Sequence, residues 1–245
     1  MSDREISINV TTRSNLFIGG SPTTFEIGGV DLFTVTDSNG MPYIPASSLK
    51  GTLRQIVRDM FTQHSSSTLI AEAYRCYLEK LRDNNSIECK KYNIEQDRID
   101  RMAKRYETVI QKASAEYLFG IEGFNDTPKL LFNDLILVDH KAALDHLFSI
   151  DSKNSIETTT EEGVPIVTAN PRTYRTVRPG VSFEGDIQLY HVEKLSEMSI
   201  KSYIKQFIVD ALDQFNSGIY RLGNSGSRGY GRVEVKCVWE GSLNG

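Results

Sequence analysis

Apolar and polar residues alternate over "EISINVT" (5–11), with Ile6, Ile8 and Val10 on one side. Such alternation predicts a half-buried strand. Residues 14–45 follow as a glycine-bearing loop region that contains the turn "DSNGMP". The period then changes: Leu49, Leu53, Ile56, Val57 and Met60 recur at helical spacing, predicting a helix from Ser47. Over 65–117 the apolar positions Ile99, Met102, Tyr106, Ile110, Ala113 and Tyr117 predict a pair of amphipathic helices joined near "RDNNS". "KLLFNDLILVD" (129–139) and "SFEGDIQLYHV" (182–192) read as strands. Between them, 149–180 is too rich in Thr and Pro for a helix and long for a plain loop. A strong helix spans Ile200, Ile204, Phe207, Ile208, Leu212 and Phe215, with Gly218 placed to stop it. A short strand "IYRL" comes next, and "YGRVEVKCVW" (230–239) closes the pattern, with Val233, Val235, Cys237 and Trp239 on one face.

The order β-α-(insert)-β-β-α-β predicts an α+β fold with a ferredoxin-like, RRM-like core, an arrangement also used by RNA-recognition domains. The stacking aromatics of an ordinary RNA-recognition motif are absent, and another mixed topology stays open. Composition narrows the class. With 39% apolar and 24% charged residues this is ordinary globular content. No run of 18 apolar residues exists and "MSDREISINV" lacks an apolar leader, so neither membrane nor export is expected. Cys76, Cys89 and Cys237 form no CxxC pair, which points to a reducing, cytoplasmic compartment without disulfides or zinc. A net charge of −4 argues against indiscriminate nucleic-acid binding but leaves room for a local basic groove. Within 65–117, ten Lys/Arg nearly cancel nine Asp/Glu, the balance of a solvated helical insertion rather than a basic arm.

Two segments carry candidate chemistry. "GNSGSRGYGRV" (223–233) lacks the strand-to-helix context of a dinucleotide fingerprint and the Lys-Ser/Thr of a P-loop. It offers backbone amides, the hydroxyls of Ser225 and Ser227, and the Arg228 guanidinium. That set suits a sugar-phosphate backbone gripped without base readout, a flexible hairpin being the alternative. "PYIPASSLKGTLR" (42–54) offers Ser47 as an N-cap and Lys50 where a capping box has Glu, with Arg54 one turn on. A helix N-terminus with a lysine invites an anion; a simply capped helix is the bland alternative.

Together, "GMPYIPASSLKGTLR" and "LGNSGSRGYGRVEV" resemble the two signatures of the RAMP superfamily, and within it the backbone subunits of type III (Csm/Cmr) CRISPR RNA-guided complexes. "IGGS" (18–21), "IGGVD" (27–31), "FG" (119–120), "ANPR" (169–172) with Arg175, and "VRPGVSF" (177–183) fall in the family's order. Ala46 and Phe17 depart from the family's usual glycine and histidine. The resemblance implies one RAMP domain over 1–245, with 65–117 as an insertion and 149–181 as a thumb-like hairpin that enters between bases. It implies RNA contacts from Gly19, Gly20, Ser21, Ser47, Ser48, Lys50, Arg54, Arg172, Arg175, Arg178, Ser225, Ser227, Arg228 and Tyr230. Asp31 would cut guide-paired target RNA with Mg²⁺ or Mn²⁺. A carboxylate can take a 2′-OH proton or hold a hydrated metal, whereas the alternative gives Asp31 a turn-forming role, as for Asp37. Implied partners are CRISPR RNA, target RNA, further copies of the chain, and the large and small subunits of such a complex. A guide-processing endonuclease using a histidine is disfavoured, because His64, His140, His146 and His191 lie outside the glycine loops.

Overall fold

The first strand, β1 (Glu5–Thr12), alternates as its sequence demands: Ile6, Ile8 and Val10 are at most 2% exposed. The computed structural model describes residues 4–20, 30–60, 64–92, 94–161, 164–195 and 200–238, with side chains described for all but Lys90, 154–170 and Val238. Ser21 and Trp239 therefore lie outside the described residues, as do the glycines of "IGGVD". After β1 come β2 (Leu32–Phe33), α1 (Ala46–Asp59), α2 (Ser65–Lys91), α3 (Gln96–Gln111), β3 (Lys129–Phe132) and β4 (Ile136–Leu137). The short α4 (Leu144–Leu147) leads into β5 (Phe148–Glu161), β6 (Val164–Val177), β7 (Ser182–Tyr190), α5 (Ile200–Asp213) and β8 (Val233–Val238).

The result is a mixed α+β fold with two sheets. The larger is ordered β3-β7-β1-β8, every neighbouring pair antiparallel, with β4 also on β7. Leu49, Leu53, Ile56 and Val57 of α1 share its core with Ile204, Phe207, Ile208 and Leu212 of α5. Gly218, at φ 74°, ends the short 3₁₀ turn that follows α5. The smaller sheet, β2-β6-β5, is the predicted long polar stretch folded as a hairpin, from Phe148 opposite Val177 to Glu161 opposite Val164. The two-residue β2 runs parallel to β6 at its base, Leu32 opposite Tyr174.

Four local expectations are corrected. The predicted strand 129–139 is broken in two, because three residues (133–135) oppose only Gly185 and Asp186 on β7, a bulge. Leu135 turns fully inward there, and a Cβ on Gly185 would meet its Cδ2 at 2.6 Å. The helix pair joins at 92–95 rather than at "RDNNS": Asn and Ser lower helix propensity without breaking a helix, and Asn85 donates to the Tyr106 hydroxyl across the pair. The cap of α1 is not Ser47. Pro45 holds that position, and the Asp134 carboxylate, set by the bulge, accepts the Ala46 N–H at 2.7 Å. Finally, "IYRL" forms no strand.

The first half of α2 enters the core, with Ile70, Tyr74 and Leu78 fully buried. The Tyr74 hydroxyl donates to the Pro128 carbonyl at 2.8 Å, just before β3. Burial pushes that phenol far above its ordinary pKa. Tyr74→Phe removes one buried hydrogen bond and leaves a carbonyl unpaired. Equilibrium urea unfolding is expected to record a loss of about 1–2 kcal/mol.

Candidate nucleic-acid interface

Asp31 is exposed and lies at the base of the hairpin, one residue before β2. Its Oδ2 accepts the Thr173 N–H at 2.6 Å and the Thr173 hydroxyl at 3.0 Å. The Asp31 N–H in turn reaches the Thr173 carbonyl at 3.1 Å. The backbone bond from Thr173, then its hydroxyl, hold the Asp31 carboxyl below the usual carboxylate range, and the charge of Arg172 adds to this. Asp37 behaves differently: its Oδ1 accepts the N–H groups of Asn39 and Met41, closing the expected turn.

The glycine loop docks on the same base from the other side. Leu222 donates to the Gly231 carbonyl, Gly231 donates to the Asn15 carbonyl, and Asn224 donates to the Phe17 carbonyl. Residues 226–228 close a 3₁₀ turn behind Ser225, which takes the left-handed φ of 61°. Part of the loop's amide set is therefore consumed internally. Among the described residues, the amides of Ser225, Gly226 and Ser227 have no protein acceptor. Arg228 is exposed, with Nη1 3.5 Å from the Tyr174 hydroxyl.

Tyr230, expected to meet RNA, is turned inward and is only 4% exposed. It packs with Phe17 and Tyr174 in a small separate cluster, and its hydroxyl donates to Asp151 of β5. Burial, then that carboxylate, raise its pKa. Lys153 closes the joint: its Nζ lies 3.6 Å from the Tyr230 ring centre and donates to the Arg228 carbonyl at 3.1 Å. The hairpin base is thus tied to the glycine loop on one side and to Asp31 on the other.

The α1 segment divides. Gly51, Thr52 and Gln55 line a depression together with Tyr220, Arg221, Gly226 and Ser227, so the two signature segments do meet. Lys50 and Arg54 sit on a different flank. Arg54 shares Glu116 with Arg58, its Nε 3.1 Å from Oε2, and lines a second depression with Arg105 and Lys112. Arg58, and then Arg54, hold the Glu116 carboxyl low. Desolvation, then Arg54 and Lys129, push the Lys50 ammonium down. Ser47 is exposed and Ser48 half-buried in the first turn.

Of the remaining predicted contacts, Gly19 is exposed and donates to Asn224 Oδ1, whereas Gly20 bonds Phe33 and packs against Val35. Arg172 is exposed beside Asp31. Arg175 lies 3.9 Å over the Phe148 ring, and Arg178 donates to the Phe148 carbonyl. These last two brace the hairpin root.

The family model of the RAMP superfamily matches residues 9–234. The chain belongs to the RAMP superfamily. Among its relatives is a Streptococcus thermophilus protein, the CRISPR system Cms endoribonuclease Csm3, 26% identical over 233 residues, which span 94% of this chain and 85% of that one. Among solved structures, a chain from the cryo-EM structure of the type III-B Cmr-β bound to cognate target RNA aligns with a TM-score of 0.51 and 19% identity. The alignment covers 96% of this RAMP chain but 60% of the Cmr-β chain, a likeness of fold. Cmr6 from Pyrococcus furiosus aligns over 94% of the chain at 18% identity, with a TM-score of 0.42.

The RAMP signatures name the loops but not what holds them. Thr173, Asp151, Lys153, Asn224 and Glu116 were not singled out from the sequence. Only Asn224 and Thr173 carried a signal, as polar neighbours of Gly223 and Arg172. No helix among the described residues is long and apolar enough to cross a membrane.

Proposed function

We infer that this RAMP protein is a backbone subunit of a type III CRISPR interference complex. In this reading it grips CRISPR RNA along its phosphates and cuts paired target RNA at regular intervals through Asp31. The observation that carries the reading is the joint at the hairpin base. An exposed, ionised carboxylate, an exposed arginine on a glycine loop and the root of a long two-stranded arm lie on one tied framework. Sequence specificity then belongs to base pairing while the protein holds backbone.

The four strands β3, β7, β1 and β8 with α1 and α5 are read as a ferredoxin-like core, with 1–245 as one domain. The segment 65–117 is its insertion, and 149–181 the thumb that enters between bases. Further copies stack head to tail, an open heterologous array, beside large and small subunits in the cytoplasm. RNA brings its own nucleophile, the 2′-OH, so holding a nucleotide in line supplies much of the rate. The donor set fits a hydrated Mg²⁺ or Mn²⁺: one carboxylate, with Oδ1 reached by no donor among the described residues, leaves the other positions to water and RNA phosphates. Held there, such an ion would supply charge neutralisation to the phosphate and the leaving oxygen.

A second reading is an inactive structural subunit, in which Asp31, bonded to Thr173 by both backbone and side chain, only ties the hairpin root. The two readings share their binding test. Native mass spectrometry with a CRISPR RNA is expected to give several copies per guide; a monomer without RNA affinity at low salt overturns both. Arg228→Ala is expected to weaken guide binding equally for unrelated guide sequences. It should flatten the slope of log K against log salt by about 0.7, the share of a single phosphate. A weakening confined to one guide sequence would mean base readout instead.

A further inference from the structure

We propose that Thr173 is a positioning residue for target cleavage, fixing the Asp31 carboxylate through Oδ2 from the root of the hairpin and turning Oδ1, which no donor reaches among the described residues, to the RNA side. The inference rests on the reading of Asp31 as the cleaving residue. Two donors of one residue, the Thr173 amide at 2.6 Å and its hydroxyl at 3.0 Å, converge on a single oxygen, Oδ2. Rotation about either side-chain torsion of Asp31 breaks both bonds at once. The Asp31 amide returns a bond to the Thr173 carbonyl, so backbone and side chain are pinned together.

An exposed aspartate in a loop otherwise samples several rotamers, and in-line transfer tolerates little misplacement. The residue that pins Asp31 lies on β6, one position from Tyr174, and Tyr174 packs in the Phe17–Tyr230 cluster beneath the glycine loop. Among the described residues, both donors that orient the Asp31 carboxylate come from the arm.

Thr173→Val keeps the β-branched shape and the amide but deletes the hydroxyl; Thr173→Ser restores the hydroxyl. In the assembled complex, single-turnover cleavage by Thr173→Val is expected to fall about tenfold, with target Kd within about twofold of wild type. Thr173→Ser is expected to recover cleavage to within about threefold of wild type. Asp31→Ala is run beside them. If it still cuts, the catalytic reading fails, and this inference with it. If Asp31→Ala is dead while Thr173→Val cuts normally, the positioning role alone is overturned. Lost target binding in Thr173→Val, or equal loss in Val and Ser, also overturns it by assigning Thr173 to the arm's structure.

Discussion

Asp31→Ala and Asp31→Asn are expected to bind guide and target RNA as wild type does and to cut the target at least about a hundredfold more slowly, the scale of a lost acid–base or metal-holding group. Alanine removes the charge and both acceptors. Asparagine retains an oxygen for the two Thr173 donors, so the hairpin root stays tied while the anion is gone. Comparing the two separates chemistry from architecture. Cutting should require a divalent ion, recur at regular spacing along the duplexed target and leave 5′-hydroxyl fragments. Deoxyribose at the cut position should abolish cleavage there. Asp37→Asn, in a turn where the amide oxygen still accepts from Asn39 and Met41, should change little.

The same residue carries a pH prediction. Thr173 depresses the Asp31 pKa, so the carboxylate is ionised at neutral pH and takes up its proton at lower pH than an ordinary aspartate. Its contribution is lost as pH falls through that lowered folded value. Rates measured from neutral to mildly acidic pH should therefore show no inflection from Asp31. Unchanged cutting by Asp31→Ala would assign the chain to the structural class.

Gly231→Ala is the other substitution expected to do large damage. Gly231 holds φ at 75°, and its added Cβ would run into the Leu222 carbonyl oxygen, a backbone atom that cannot swing aside. Leu222 donates to the Gly231 carbonyl, and the Gly231 N–H donates to the Asn15 carbonyl. Relief of the clash therefore breaks the seat of the whole loop. The left-handed conformation alone costs about 1–2 kcal/mol for alanine, and each broken backbone bond adds about 1 kcal/mol. A total near 3–4 kcal/mol is a large part of a domain's stability of about 5–15 kcal/mol. Gly229→Ala is the control, because at φ 91° its Cβ meets nothing within 4 Å and only the conformational cost remains. Urea midpoints and guide affinity should fall for Gly231→Ala well beyond the control. Equal losses would mean that the seat is not rigid.

Legibility in the sequence followed the range of the interactions. Ile6, Ile8 and Val10 of β1, the apolar stripe of α1 and the stop at Gly218 were readable because each depends on neighbours a few residues away. The cap of α1 was misread because its true acceptor, Asp134, lies 88 residues on and is aimed by a bulge that only pairing with β7 creates. Tyr230 looked like a loop aromatic; its partner Asp151 is 79 residues away on the hairpin. Asp31 stood out only through the family pattern, and Thr173, which fixes it, is 142 residues distant. Lys50 and Arg54 were correctly placed on one face, but helical periodicity alone could not tell which neighbour that face would meet.

The clamp at the hairpin root has a mechanical consequence. From Asp151 to Glu161 the arm runs about 33 Å at ~3.3 Å per residue, supported by β2 only near its root. It acts as a cantilever. A tilt of about 5° at the root moves the far end by about 3 Å, close to the ~3.3 Å rise of one strand residue. If the arm enters between bases as proposed, Asp151, Lys153 and Tyr230 on one side and Asp31 on the other would set how precisely its far end is placed. Play at the root would then be magnified along the whole length of the arm.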